Sequence, residues 1–214
     1  MSVFSLKDTR FFVVRHAEAQ KNLDKMHGGG AQDLTIGGLI ELKRSAMALL
    51  NTTIDKNRIV VYQREGRSKE TARFLAEELI APSLECKNIY GIGLGVIATL
   101  NEDELSICYP EVSKVLYDWK HGNAKLDNYP DIPGREHMSD FAIRIKNGLS
   151  EILKPNCDVV FVGTTSTINM INHLLVNNGC FERDSYDFVT FPFSGVNGWN
   201  LSTVNAPEKF YSNF

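Results

Sequence analysis

Three short stretches of this chain carry groups suited to holding and attacking an anion. Arg15-His16-Ala17-Glu18 follows the apolar run Phe11 to Val14. Tyr62-Gln63-Arg64-Glu65-Gly66-Arg67 follows a second apolar run, and Gly163-Thr164-Thr165-Ser166-Thr167 follows a third. A guanidinium presents a planar fork that matches phosphate oxygens two at a time. A neighbouring imidazole, neutral and correctly turned, can attack phosphorus. Hydroxyls at a helix start add O–H and backbone N–H donors, an arrangement that favours anions. The converging chemistry is phosphate binding, with His16 as phosphoryl acceptor. Each stretch alone also has a plainer reading. An Arg-His pair after a strand is often structural, and a Thr/Ser turn is often only a helix cap.

The elements around these stretches place them together. Arg10–Arg15, Asn57–Tyr62 and Asp158–Gly163 read as strands, with continuous apolar centres suited to cover on both faces. Trp199–Val204 alternates and reads as an edge strand. Helical patterns lie between them. Ile36 to Leu50 carries the row Ile36, Leu39, Ile40, Met47 and Leu50, with Thr35 as its N-cap. Ala72, Leu75 and Leu79 form a second row, Phe141, Ile145, Leu149 and Ile152 a third, and Ile168, Ile171 and Leu175 a fourth. Strand–helix alternation predicts a three-layer α/β/α sandwich around a mostly parallel sheet. In such a sheet ligands bind beyond the carboxyl ends of the strands, where all three stretches fall.

Length and composition bound the rest. The chain has 214 residues, 43% of them hydrophobic and 23% charged, which predicts one globular domain over residues 1–214. Residues 81–135, with Pro82, Pro110, Pro130 and Pro133 and the acidic run Glu102-Asp103-Glu104, read as a lid-like insertion. The net charge is −3, so there is no basic excess for a nucleic acid or an anionic membrane. No apolar run approaches the roughly 20 residues of a membrane span. Met1 to Arg10 lacks the apolar segment of a secretory signal. The four cysteines, Cys86, Cys108, Cys157 and Cys180, show no metal-site spacing and read as reduced, mostly buried thiols of a cytoplasmic protein.

The motifs, taken in order, resemble one family. Arg15-His16-Ala17-Glu18-Ala19-Gln20-Lys21-Asn22 resembles the Arg-His-Gly-Glu-Ser/Thr-x-x-Asn signature of the histidine phosphatase superfamily, the phosphoglycerate-mutase-like group. Leu34-Thr35-Ile36-Gly37-Gly38 resembles its Leu-Thr-x-x-Gly helix entry, and Arg67-Ser68-Lys69-Glu70-Thr71-Ala72 its Arg-Ala-x-x-Thr-Ala segment. Pro133-Gly134-Arg135-Glu136, before a helix containing Arg144, resembles its Gly-Glu-Ser segment. The resemblance implies a phosphoglycerate mutase-like fold and hydrolysis of a small phosphomonoester through a phosphohistidine, with no metal or other cofactor. His16 matches the nucleophile, Arg15 and Arg67 the phosphate clamps, and Asn22 the asparagine lining the pocket. Thr164 and Thr165 would complete the phosphate site.

Two departures qualify that expectation. Thr164 stands where the family carries a second histidine, and Gly91 stands where it carries a proton-donating glutamate. Loss of one preorganised donor lowers rate by about 10²–10³, and loss of general acid help by about 10²–10⁴. Smaller changes agree: Gln63 replaces a serine, Ala17 a glycine, and His137 follows Glu136 in place of a serine. Glu102, Glu104 or His137 could compensate, but the run 102–104 also reads as a solvated helix start and His137 as a surface residue. His27, His121 and His173 read as surface or structural. Tyr117, Trp119 and Tyr129 read as packing the lid. The competing reading is a family member that binds a phosphorylated or anionic ligand without turnover, and a third is an altered reaction in the same pocket.

Overall fold

The computed structural model describes residues 4, 6–26, 33–52, 57–64, 66–120, 132–182, 186, 191–202 and 208–212, with the backbone alone at 119, 120, 208 and 210–212. His27, His121, Tyr129 and the side chain of Trp119 lie outside the described residues. Six strands, β1 (Arg10–Arg15), β2 (Arg58–Gln63), β3 (Ser83–Cys86), β4 (Asp158–Gly163), β5 (Val196–Asn200) and β6 (Glu208–Ser212), form one sheet in the order β3-β2-β4-β1-β5-β6. The first four run parallel; β5 is antiparallel to β1, and β6 to β5.

Residue parity along the strands splits the core in two. Phe11, Val13, Val61, Val159 and Phe161 face one layer; Phe12, Val14, Val60, Val160 and Val162 face the other. Both sets are almost fully buried, which is why these strands read as continuous apolar runs. On the first face pack α4 (Glu102–Cys108), α5 (Pro110–Lys120), α6 (Met138–Ile152) and α7 (Thr165–Val176), through Leu105, Val112, Leu116, Phe141, Ile145, Leu149, Ile168 and Ile171. On the second pack α2 (Ile36–Thr52) and α3 (Gly66–Leu79), through Leu42, Ala46, Leu49, Ala72, Leu75 and Leu79. The three-layer α/β/α arrangement is as the sequence predicts. A short helix, α1 (Gln20–Leu23), and a 3₁₀ turn, Gly95–Thr99, complete the described elements.

The helical rows of α3, α6 and α7 are buried as expected, but that of α2 is not. Ile36, Leu39, Ile40, Met47 and Leu50 are all exposed, Ile36 at 81%. The buried face is Gly38, Leu42, Ser45, Ala46 and Leu49. α2 carries two apolar stripes, and the one with smaller residues meets the sheet because it permits close approach. Thr35 does begin the helix: its Oγ1 accepts the Gly38 N–H at 3.0 Å and donates to Glu18 Oε1 at 2.8 Å, while its own N–H donates to the Glu18 carbonyl. Gly38 lies against that junction, and a Cβ there would sit 2.5 Å from the Glu18 carbonyl oxygen. Gly38→Ala is therefore expected to destabilise by about 1–3 kcal/mol in urea melts. Gly37→Ala, whose added carbon meets nothing nearer than 3.9 Å, stays within about 1 kcal/mol of the parent.

Other corrections are local. The strand expected at 199–204 spans Val196–Asn200 and is not at the edge, because β6 pairs on its far side. Residues 83–86, within the segment read as an insertion, form edge strand β3. Tyr117 is 61% exposed rather than packed. Cys86 alone is fully buried; Cys157 is half-buried, and Cys108 and Cys180 are exposed free thiols. Among the described residues no helix is long and apolar enough to cross a membrane.

Candidate active site

The sheet register brings the three stretches to one end. Arg15 pairs with Gly163 and Tyr62 with Val162, so the chain leaves β1, β2 and β4 at the same level. The His16 N–H donates to the Gly163 carbonyl at 2.9 Å. Gln63 Oε1 accepts the Thr164 N–H at 3.1 Å, and Thr71 Oγ1 accepts the Ala17 N–H at 3.0 Å while donating to the Arg67 carbonyl. The loops after β1, β2 and β4 are thus bonded to one another and to α3.

His16 lies at the centre, 3% exposed. Arg67 Nε, a donor only, donates to His16 Nε2 at 3.0 Å, so Nε2 is an acceptor. Nδ1 then carries the proton and donates to the Ala17 carbonyl at 2.7 Å. Burial first, then the Arg67 charge, with Arg15 and Lys21 adding to it, hold the imidazole well below its usual range; the Ala17 bond opposes them. The ring is neutral at pH 7, with its lone pair on Nε2.

Arg15 is placed by residues that the sequence reading missed. Its Nη1 donates to the Phe191 carbonyl, and its guanidinium lies 3.9 Å from the Phe193 ring, which also meets His16 at 5.6 Å between centroids. Burial and, second, Arg67 push Arg15 down to about 10. The turn cluster Pro192, Ser194 and Gly195 before β5 was the available signal. Its Ser194 N–H donates to the Arg15 carbonyl, and the Arg15 N–H to the Gly195 carbonyl. Two further polar side chains are buried nearby in sequence: Lys21 on α1, 3% exposed, and Gln63 at the end of β2, fully buried, with its Nε2 unpartnered among the described residues.

The remaining candidates divide. Asn22 is half-buried on α1, where its Oδ1 accepts the Ala19 N–H at 3.0 Å. Thr164 takes the N-cap place of α7, and its hydroxyl meets those of Ser166 and Thr167 at 3.3 and 3.1 Å. Thr165 opens α7, half-buried. Gly91 lies in a loop pinned by Glu136, just before α6, and by Arg144 on α6: Gly93 N–H donates to Glu136 Oε2, and Arg144 grips both Glu136 oxygens at 2.9 and 2.7 Å. Arg144 also donates to the Tyr90 carbonyl at 3.1 Å and stacks on the Tyr90 ring. Glu102, Asp103 and Glu104 are exposed at the start of α4, where Glu104 and Asn101 cap each other. His137 is exposed, and His173 is buried near the end of α7, accepting the Glu182 N–H through Nε2. Among the described residues no group of three or more His, Cys, Asp or Glu side chains gathers as a metal site.

The profile of the histidine phosphatase superfamily (branch 1) matches residues 11–183. The chain belongs to that superfamily. Solved structures agree on its fold. Mycobacterial glucosyl-3-phosphoglycerate phosphatase, solved in complex with VO3, superposes with a TM-score of 0.71 at 15% identity, covering 94% of this chain and 96% of that one. The alpha-ribazole phosphatase from Shigella flexneri gives 0.71 at 16% identity, covering 96% of each chain. The phosphoserine phosphatase from Entamoeba histolytica, solved with 3-phosphoglyceric acid, gives 0.70 at 18% identity, covering 96% and 97%. No curated protein matches the sequence. His16 lies within the matched residues and directly follows β1.

The His16 environment also predicts a pH dependence of stability. The unfolded imidazole titrates near 6.5 and the folded one well below it. Between those values the unfolded chain binds more protons, so stability is fully present above about pH 6.5 and falls as pH drops, by at most about 1.4 kcal/mol per pH unit. Urea midpoints of the parent should fall between pH 6.5 and 5, and His16→Gln should flatten that part of the profile.

Proposed function

We propose that this superfamily member hydrolyses a small phosphomonoester through a phosphohistidine on His16. The observation that carries the reading is the fixed tautomer. Nδ1–H is held on the Ala17 carbonyl, and the Nε2 lone pair faces Arg67 in a pocket where every charge bearing on the imidazole is positive. An arriving phosphoryl group draws the Arg67 fork onto its oxygens, with Arg15 as second clamp, and frees Nε2 for in-line attack. The Nε2–P bond forms as the P–O bond to the leaving oxygen breaks, and that oxygen keeps the electron pair. Water then attacks phosphorus, the N–P bond breaks, and inorganic phosphate leaves a neutral His16. Thr164, Thr165 and the α7 start add neutral donors, and Asn22 borders the site. The phosphatases named in the comparisons support phosphate esters as the substrate class.

A second reading, anion binding without turnover, has its own observation. Three carboxylates near these loops are engaged elsewhere and offer no proton to a leaving group: Glu136 with Arg144, Glu18 with Thr35, Glu104 with Asn101. One experiment separates the two. p-Nitrophenyl phosphate has a leaving group that departs as an anion and needs no acid. Mixed with the parent and quenched in base, it should leave an acid-labile phosphate on His16, located by mass spectrometry. Thermal stabilisation by inorganic phosphate with neither phosphoenzyme nor turnover would replace hydrolysis with binding.

A further inference from the structure

The sheet register sets Arg15, Gly163 and Gln63 in one row across β1, β4 and β2. Arg15 pairs with Gly163, and Gln63 stands one step past the Tyr62–Val162 pair. Alternation along the strands turns this row to the face that carries Val13, Val61 and Phe161. Gly163 has no side chain to fill the middle of the row, and Gln63 leans over it. A Cβ on Gly163 would sit 2.8 Å from Gln63 Oε1 and 2.6 Å from the Phe161 ring. The same backbone unit holds His16, whose N–H donates to the Gly163 carbonyl at 2.9 Å.

The Gln63 amide is fully buried, and its two ends are treated differently. Oε1 accepts the Thr164 N–H at 3.1 Å. That bond fixes which end is oxygen, because a backbone N–H only donates. The other end, Nε2, carries two N–H groups and meets no acceptor among the described residues. In the same row Arg15 Nε is likewise a buried donor with no acceptor among them. Buried N–H groups are almost always bonded, and an unmet one costs stability that an apolar side chain of like size would spare. Two unmet donors on either side of a bare glycine, next to His16, suit a group made of acceptor oxygens that arrives from outside. We propose that Gln63 Nε2 donates a hydrogen bond to the phosphoryl group bound at His16, as a neutral ligand beside the Arg15 and Arg67 clamps. The Thr164 N–H turns the amide so that nitrogen, not oxygen, is presented to the anion. The inference rests on the phosphate site proposed above and adds Gln63 to it.

The test is titration of the whole chain with orthovanadate and with inorganic phosphate, together with nitrogen NMR of the His16 ring in the anion-free protein. Gln63→Met keeps the side-chain volume and removes both bonding ends. Gln63→Glu keeps an acceptor for the Thr164 N–H and puts an oxygen where the donor was. Lys43→Met, on the exposed side of α2, is the surface control. Gln63→Met should bind orthovanadate about ten- to hundredfold more weakly, the loss expected for one charge-assisted hydrogen bond. Its anion-free His16 ring signals should stay at the parent's positions, and Lys43→Met should bind as the parent does. In alkaline buffer Gln63→Glu should lose at least as much affinity, since an ionised oxygen then faces the phosphoryl oxygens. In acid buffer its deficit against the parent should shrink, because the protonated carboxyl again offers a donor. Parent affinity in Gln63→Met overturns the proposal. So does weakened binding with displaced His16 signals, which marks Gln63 as a strut between the loops rather than a ligand. Should Gln63→Met not fold, Gln63→Glu decides: a deficit that does not shrink in acid, or no deficit in alkali, overturns the proposal. A parent that binds neither anion overturns the phosphate site itself, and the role of Gln63 with it.

Discussion

His16→Ala is expected to abolish the trappable phosphoenzyme and to lower turnover of p-nitrophenyl phosphate by about 10³-fold or more. The magnitude follows from what remains. Without the imidazole, phosphorus must be attacked by water, in a site that still holds and polarises the phosphoryl group through Arg15 and Arg67. The variant should stay folded, because the path of this loop is set by main-chain bonds: His16 N–H to Gly163, Ala17 N–H to Thr71 and Arg15 N–H to Gly195. Orthovanadate should bind the variant at least as readily, since the Arg67 fork no longer has to leave His16 Nε2. Binding kept and turnover lost places His16 at the bond-making step. Turnover within tenfold of the parent would assign the phosphoryl acceptor to another group.

Much of the scaffold was legible because it rests on local patterns. Strands β1 and β4 are buried on both faces, so their apolar runs end where the strands end. Thr35 and Gly38 were readable as a helix entry, and the structure shows why that spacing matters: the Thr35 hydroxyl and the bare Gly38 backbone both fit against Glu18. α2 was misread because periodicity finds apolar stripes but cannot say which of two stripes meets the sheet. The small residues of the buried stripe were the better guide, and size favoured the wrong one. β3 and β6 are short outer strands whose pairing depends on neighbours distant in sequence.

The site divides along the same line. Arg15, His16 and Arg67 sit at strand ends or helix starts, which a parallel sheet brings to one end. Phe191 and Phe193 reach the site only because β5 folds back beside β1, a long-range event that no local pattern announces. Lys21 is 3% exposed, although a lysine on a short polar helix is ordinarily solvated. Glu136 and Arg144 matched a family segment, yet here they form an ion pair that fastens the loop carrying Gly91. The missing acid is therefore part of a built arrangement. That loop is held by Glu136, two residues before α6, and the same carboxylate is taken up by Arg144 and Gly93.

The second large effect is expected at Arg67→Met, and it has two parts that can be measured separately. The first is loss of a clamp: turnover should drop by about 10²–10³-fold, as for removal of one preorganised donor to developing phosphoryl charge. The second concerns His16. Arg67 is the largest charge holding the imidazole down, after burial itself. Removing it lets the His16 pKa rise toward the usual imidazole range. Attack needs the neutral ring, so activity falls as pH drops through that pKa, and a higher pKa moves the acid limb of the profile upward. Arg67→Lys divides the two parts. It keeps a positive charge near the ring, so the acid limb should stay close to the parent's, but the fork and its Nε–H bond to His16 are gone and turnover should still fall. A variant Arg67→Met whose rate drops while its acid limb stays in place would show that Arg67 acts on the phosphoryl group alone. His16 would then be held neutral by burial, with Arg15 and Lys21 as the charges that remain.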